Sequence, residues 1–366
     1  MTRISIAAAS LVLANVCACT SSAPPPVREV PAVCRSPGYP PPPRSPTPAG
    51  ATELVVALGT VDGGDVTERD GGPSYRSVGL NLDAACTGSV DGPSCLEPPW
   101  ATANHDDGPN GEDNAFGSLV YSVEPTGLGT KATQLSEQAG NFAWLVRVRD
   151  YNGEADDDQV DVALYGATTQ GKVSPKTAKW DGADEWKILS PWLESADGDG
   201  ASVSADAPSV VRDSKAYVSN DVLVARFSRM LGGATTSQDL VEYRSAVLVA
   251  KVSHEGLRAF EWATLGARVS LSEALRLFGG YFPRSSGQSP CTTPSAQTYL
   301  EIKLELCAYA DIRAGDNDRS APCDGLSQGL AFTGTRASIA DTVELVPPSD
   351  GICPPGNGTD ACDDLH

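Results

Sequence analysis

Asp150, Asn152, Asp156 and Asp158 place four oxygen-bearing side chains within nine residues, between two strand-like stretches. Calcium in proteins is held by about six to eight oxygens from carboxylates, amides and the backbone. The dipeptide Asn152-Gly153 favours a turn that brings the following acids back toward Asp150. We therefore predict a structural calcium site with these four ligands. The alternative is a solvated hairpin tip whose acids only favour solubility.

Residues 106–114 form a second acidic stretch with similar oxygen ligands. The EF-hand spacing fails there, because the twelfth position counted from Asp106 is Gly117 rather than a glutamate. The first acidic loop is therefore the better candidate for calcium.

Motifs for nucleophilic or zinc-dependent hydrolysis fail in their sequence context. Ser327 has the nucleophile position of G-x-S-x-G, but a strand-like stretch follows it where that motif requires a helix. We interpret it as part of a turn beside a cysteine. His254-Glu255 opens like a zinc-protease helix, yet position 258 is Arg rather than the second His. We predict no catalytic residue and no cofactor other than calcium.

Aromatic and acidic side chains between positions 180 and 192 leave several functions open. Trp180, Trp186 and Trp192 could stack on sugars if exposed, or cover the edge of a sheet if buried. Asp181 and Glu185 could cleave glycosides if they were held about 5–10 Å apart. We favour a non-enzymatic module that binds a glycan or an envelope protein. The alternatives are an extracellular polysaccharide hydrolase or lyase, and a structural envelope protein.

The amino terminus predicts export and lipid attachment. An uncharged apolar run, Ile4–Val16, follows a basic residue; it is shorter than the roughly 20 residues of a membrane-spanning helix and ends in small residues. Val16-Cys17-Ala18-Cys19 fits a lipoprotein signal, with a small residue before the modified cysteine. We predict that residues 1–18 are removed and that Cys19 is acylated. Cys17 is the weaker alternative, because a β-branched valine precedes it.

Residues 19–50 predict a proline-rich tether behind the lipid anchor. Such sequences adopt extended conformations of about 3.1 Å per residue and can hold a domain clear of a membrane. Thr20, rather than an aspartate, follows the acylated cysteine, which favours the outer membrane of a Gram-negative cell. The expected partner is thus the membrane, through the lipid.

The remaining eight cysteines predict disulfide bonds in an oxidising compartment. Zinc binding is disfavoured because no C-x-x-C pair is present. Short separations favour three bridges and leave a fourth pair over: Cys86–Cys95, Cys307–Cys323, Cys353–Cys362, and Cys34 with Cys291.

The charge of the chain is strongly acidic, with 27 basic and 47 acidic residues and a formal net charge of −20. Such a chain repels nucleic acid and anionic membrane surfaces. We therefore exclude nucleic acid as a partner.

Short alternating stretches separated by glycine and proline predict an all-β protein. Strict alternation in Tyr299–Leu306 is the clearest strand signal. Two short helices are predicted: an amphipathic segment at Thr133–Gly140, and a segment whose capped start is indicated by Ser270 with Glu273. We predict a large antiparallel β-sandwich of the jelly-roll or concanavalin type over residues 51–346, followed by a disulfide-stapled tail, 347–366. Two sandwiches divided near residues 170–200 are the alternative. The other predicted strands are Glu53–Leu58, Tyr75–Leu82, Ser118–Ser122, Phe142–Arg149, Gln159–Tyr165, Ala216–Val218, Val222–Phe227, Ala246–Val252, Leu257–Trp262 and Gly329–Thr333.

Several motifs together resemble a group of large exported bacterial lipoproteins for which no activity is known. The resemblance covers residues 75–335 and implies export and a shared fold, but it transfers no site residue. The motifs are Asp107-Gly-Pro-Asn-Gly-Glu-Asp-Asn-Ala-Phe-Gly117, Asp150-Tyr-Asn-Gly153, Trp180-Asp-Gly-Ala-Asp-Glu-Trp186, Ala216-Tyr-Val218 and Ala321-Pro-Cys-Asp-Gly-Leu-Ser327.

Overall fold

The fold is described from a computed structural model. The described residues are 38–67, 72–88, 91–101, 103, 105–123, 127–170, 177–194, 204–232, 240–282, 288–346, 353–363 and 365. The predicted signal peptide, the anchor at Cys19 and the half-cystine Cys34 lie outside them. Among the described residues, no helix has the length and apolar character needed to cross a membrane.

The described part of the chain contains ten strands and four α-helices. The strands are β1 Thr52–Asp62, β2 Ala143–Tyr151, β3 Asp157–Thr168, β4 Glu185–Ile188, β5 Arg212–Ser219, β6 Val222–Gly232, β7 Val241–Val252, β8 Arg258–Ser270, β9 Gly325–Arg336 and β10 Ser338–Ile339. The helices are α1 Ala115–Val123, α2 Leu128–Gln138, α3 Leu271–Gly279 and α4 Gln297–Ala308.

Eight of the strands form a closed antiparallel barrel, in the order β1-β2-β3-β5-β6-β7-β8-β9 and back to β1. The strand β3 closes it by pairing with β5 through its first half, while its last residues pair with β4 at Ala167↔Ile188. The prediction of a jelly-roll or concanavalin-like sandwich is therefore wrong. Alternation shows only that each strand has one buried face, and this is equally true of a sandwich and of a barrel.

Apolar side chains from all eight strands fill the barrel interior. Register places Val56 of β1 opposite Val146 of β2, and Val146 opposite Leu164 of β3, so these three side chains share the inner face. On β9, Gly334 faces the barrel interior beside Val56. A Cβ added at Gly334 would lie 2.7 Å from the Cβ of Phe260. At this level the interior is thus already filled by its own side chains.

Two of the four helices follow the sequence predictions. Ser270 caps α3, where its hydroxyl accepts the backbone N–H of Glu273 at 3.2 Å. The amphipathic segment expected over residues 133–140 lies mostly within α2, which begins earlier.

Three predicted strands are wrong. Tyr299–Leu306 lies in α4, whose buried residues, Tyr299, Lys303, Leu306 and Cys307, have helical spacing. Leucine, glutamate, lysine and alanine are compatible with a helix, and the contacts of α4 with the tail outweigh the alternation of its leucines. Ser118–Ser122 lies in α1, and Tyr75–Leu82 contains a 3-10 turn and an isolated bridge instead of a strand.

The cysteines are oxidised as predicted, but the predicted pairings are wrong. The structure links Cys95 to Cys323, Cys291 to Cys353 and Cys307 to Cys362. Cys86 is also disulfide-bonded, and its partner lies outside the described residues. Short loops were a poor guide because the bridges join elements that are adjacent only in the folded chain, across sequence separations of 228, 62 and 55 residues.

The tail packs on α4 through charge as well as through its disulfide. Lys303 of α4 is fully buried, and its Nζ donates to Asp360 Oδ1 at 2.7 Å. Tyr299 donates its hydroxyl to the other oxygen of the same carboxylate. Both partners are thus satisfied, which a buried ion pair requires.

The last part of the predicted tether is docked on the barrel. Tyr217 of β5 donates its hydroxyl to the carbonyl of Pro40 at 2.7 Å. Arg226 of β6 lies over the ring of Tyr39 at 5.3 Å. Thr47 is hydrogen-bonded to Asp158 at the start of β3. Residues 39–47 therefore follow the outer wall of the barrel.

Candidate functional site

Three of the four predicted calcium ligands accept backbone N–H groups. Asp158 accepts the backbone N–H and the hydroxyl of Thr47, whereas Asp156 accepts the backbone N–H of Asn220 at 2.9 Å. Asn152 accepts the backbone N–H of Glu154. No group of three or more histidine, cysteine or acidic side chains among the described residues is arranged to hold a metal. The structure does not bring these ligands together, so calcium at Asp150, Asn152, Asp156 and Asp158 gains no support from it.

The three tryptophans of the predicted sugar platform are largely buried. Trp186 and Trp192 are both 0% exposed, and Trp180 packs on Trp186 with ring centroids 5.3 Å apart. The nearby carboxylates Asp181 and Glu185 are exposed at the surface. The rings are therefore packed within the protein and present no stacking surface.

The residues of the hydrolase-like motifs are held in structural contacts. Ser327 lies inside β9 and not in a turn; it is fully buried and donates its hydroxyl to Asp311 at 2.5 Å. His254 is paired with Asp221 at the surface. His105 lies 2.7 Å from Glu97 and contacts the carbonyl of Ala308. Neither histidine is therefore placed to activate Ser327.

A cavity of about 470 Å³ lies between one end of the barrel and the helices α1 and α2. The strands contribute residues near the end of β1 and the beginnings of β2, β7 and β9. These ends meet because neighbouring strands are antiparallel. The aromatic and aliphatic lining consists of Phe116, Phe142, Trp144, Tyr243, Val61, Val120 and Leu330.

Helix α2 is fastened over this end of the barrel by three polar side chains. Asp65 accepts the backbone N–H of Thr130 at 3.0 Å and also its hydroxyl. Gln134 donates to the carbonyl of Val61 at 2.7 Å, and Glu137 accepts the N–H of the same residue. Burial raises the pKa of Glu137 to about 7. These contacts fix one wall of the cavity.

Four polar side chains of the lining have no hydrogen-bond partner among the described residues: Trp144, Tyr243, Gln328 and Ser136. Trp144 is 6% exposed, and its indole Nε1 is buried and unpaired. Two phenylalanine rings hold this indole edge to face, at centroid distances of 5.1 Å and 5.4 Å. Tyr243 and Gln328 line the same cavity, and neither side chain makes a hydrogen bond in the described part of the chain. The cavity is thus an apolar space with a few free polar groups.

A cluster of aspartates lies on the outer wall of the barrel beside β8 and β9. Asp113 accepts the backbone N–H of Leu82, and Asp107 accepts that of Thr87, each at 2.6 Å. Asp107 and Asp113 lie close together, and the charge of Asp107 raises the pKa of Asp113. Arg268 lies nearby but donates to backbone carbonyls, including that of Leu82. The cluster therefore ties loops to the barrel.

Burial controls the protonation of this cluster. Burial and the charge of Asp83 raise the pKa of Asp107 to about 8 and hold the pKa of Asp113 well above its usual range. Burial raises the pKa of Asp311 to about 6, although Ser327 donates two hydrogen bonds to it. The paired carboxyls thus hold a proton near neutral pH.

Sequence reasoning missed the cavity, because separate segments of the chain contribute to it. One local signal was present: Gln328 stands between Leu326 and Leu330 on the face of β9 that points into the barrel. A polar residue on an otherwise apolar strand face indicates a place where the interior contacts solvent or a ligand.

Comparisons with known proteins give no relative of this chain. No protein-family model matches the sequence. No curated protein and no solved structure shows significant similarity to it. The function of this chain therefore has to be inferred from its fold and its cavity.

Proposed function

We propose that this chain is an exported, lipid-anchored binding protein of the cell envelope that holds a small, mainly apolar ligand in the mouth of its barrel. The observation that carries the proposal is the cavity beside Trp144, with its apolar walls and its unpaired polar groups. The protein acts by binding and carries out no reaction.

The cavity has the properties of a small-molecule site. Its volume of about 470 Å³ falls within the range of about 300–1,000 Å³ that is typical of ligand pockets. Such pockets are mostly apolar, contain a few polar groups, and occur in the mouths of β-barrels. A glycan site on Trp186 and Trp192 is less well supported, because both rings are buried.

Lipid attachment at Cys19 is consistent with the direction in which the chain enters the barrel. The docked segment ends at Thr47, beside the start of β3, and β1 begins at this same end of the barrel. The cavity lies at the other end, near the end of β1.

The proposal can be tested with N-phenyl-1-naphthylamine, an uncharged apolar dye whose fluorescence rises on binding. We expect saturable binding to the folded chain. Val120 of α1 is half-buried and lines the cavity, so Val120→Trp should fill it and weaken dye binding at least about tenfold, or about 1.4 kcal/mol. Val123 of the same helix is 72% exposed and lies outside the lining; Val123→Trp is the matched control.

Saturable binding that Val120→Trp abolishes and Val123→Trp preserves would support the proposal. Dye binding that is absent, or that both variants leave unchanged, would overturn it. Circular dichroism of each variant shows whether the barrel is retained.

A further inference from the structure

We infer that the ligand of the barrel-mouth cavity is an uncharged amphiphile, an apolar molecule that carries a hydroxyl or carbonyl group, and that the cavity rejects the corresponding carboxylate. This inference rests on the proposed function and adds the chemical class of the ligand.

The charge of the lining disfavours an anion. None of the described residues that line the cavity is basic, whereas Asp65 is part of the lining. Asp65 is 2% exposed and accepts two hydrogen bonds from Thr130, so both of its oxygens act as acceptors within the wall. A ligand carboxylate would lose its water without gaining a counter-ion, and would lie close to the acceptor oxygens of Asp65.

The same contacts disfavour a cation. One oxygen of the Asp65 carboxylate accepts the backbone N–H of Thr130, and the other accepts the Thr130 hydroxyl. An ammonium group would have to lose its water to reach this carboxylate, which is 2% exposed. The remaining lining offers neutral groups only.

The free polar groups suit one neutral oxygen. The indole N–H of Trp144 can only donate, and it is buried without an acceptor. Burial and the charge of Glu273 raise the pKa of Tyr243, so its phenol stays protonated and can donate as well. Gln328 can donate or accept. A hydroxyl or carbonyl oxygen would satisfy the two donors, while its alkyl part contacts the phenylalanine and valine walls.

The inference can be tested by displacement of bound N-phenyl-1-naphthylamine with three ligands of equal chain length: 1-decanol, decanoate and decylammonium. All are used below their micelle concentrations, at a pH where decanoate is ionised. We expect 1-decanol to displace the dye at a concentration at least about tenfold lower than either ion. Tyr243→Phe and Gln328→Met keep the volume but remove polar groups, and each should reduce this advantage of 1-decanol over the two ions severalfold.

The outcomes separate the ligand class from the function. Equal displacement by 1-decanol and decanoate, or stronger displacement by decylammonium, would overturn the inference while dye binding continued to support the proposed function. An advantage of 1-decanol that both variants leave intact would also overturn it. Absence of dye binding to the parent chain would overturn the proposed function and this inference with it.

Discussion

Thr47 and Asp158 hold each other through three hydrogen bonds. The backbone N–H and the hydroxyl of Thr47 donate to Asp158 Oδ1 at 2.7 Å and 2.6 Å, and the backbone N–H of Asp158 donates to the Thr47 hydroxyl at 3.0 Å. These bonds lower the pKa of Asp158. An aspartate that the sequence assigned to calcium thus fastens the proline-rich segment to the barrel.

Thr47→Val should release this segment. Valine has a similar shape but neither donates nor accepts through its side chain, so two of the three bonds are lost. We expect trypsin to cleave after the exposed Arg44 severalfold faster than in the parent chain, because proteases need a locally detached backbone. Mass spectrometry of the products measures the rate. Ser45→Ala is the control, and an unchanged rate in Thr47→Val would show that the bonds do not restrain the segment.

The stability of the protein should fall as the pH rises from about 4 to about 8. The pKa of Asp107 is raised from 3.8 to about 8 in the folded state, so across this range the folded protein keeps a proton that the unfolded chain releases. Below a pH of 3.8, Asp107 makes its full contribution to the free energy of unfolding. This contribution is lost as the pH rises toward about 8, the pKa of Asp107 in the folded state. Urea unfolding at several pH values measures it.

Asp107→Asn should flatten this pH dependence. Asparagine has nearly the same shape and can still accept the backbone N–H of Thr87, but it does not titrate. We expect the loss of stability between about pH 5 and about pH 8 to shrink by at least about 1 kcal/mol, since one pKa unit corresponds to about 1.4 kcal/mol. Asp341→Asn, at an exposed position outside the cluster, is the control. Equal slopes in all three proteins would mean that Asp107 is not the titrating group.

The bridge between Cys95 and Cys323 should contribute strongly to stability. It joins residues 228 positions apart, and long loops lose the most chain entropy on closure. We expect the double variant Cys95→Ala/Cys323→Ala to lose roughly 2–5 kcal/mol of unfolding free energy. Non-reducing peptide mapping of the parent chain should link these two cysteines. Recovery of Cys86 linked to Cys95 instead would contradict the structure.

Lipid attachment is a prediction from the first 19 residues. Cys19→Ala should abolish both metabolic labelling with a fatty acid and partitioning into detergent, because it removes the acylated atom. Cys17→Ala should leave both nearly unchanged. The reverse pattern would move the anchor to Cys17, and the absence of any labelling in the parent chain would rule out a lipoprotein.

Local patterns determined much of the secondary structure. The sequence predicted the cap of α3 correctly, because the two capping residues, Ser270 and Glu273, lie within four positions of each other. Most strands followed from alternation along a single stretch, such as Phe142–Arg149 in β2. The oxidised state of the cysteines followed from their number and from the export signal. Each of these depends on residues that are neighbours in the chain.

Only the tertiary structure decided where α4 is a helix, which cysteines pair, and that the sheet closes. In α4 the contacts of Tyr299, Lys303 and Cys307 with the tail stabilise helical spacing, although the leucines alternate. Closure depends on pairing between β3 and β5, and the cavity depends on Trp144 and Gln328 meeting across the barrel end. Such contacts join residues far apart in sequence. Their free energy depends on the whole fold, so no single segment of the sequence predicts them.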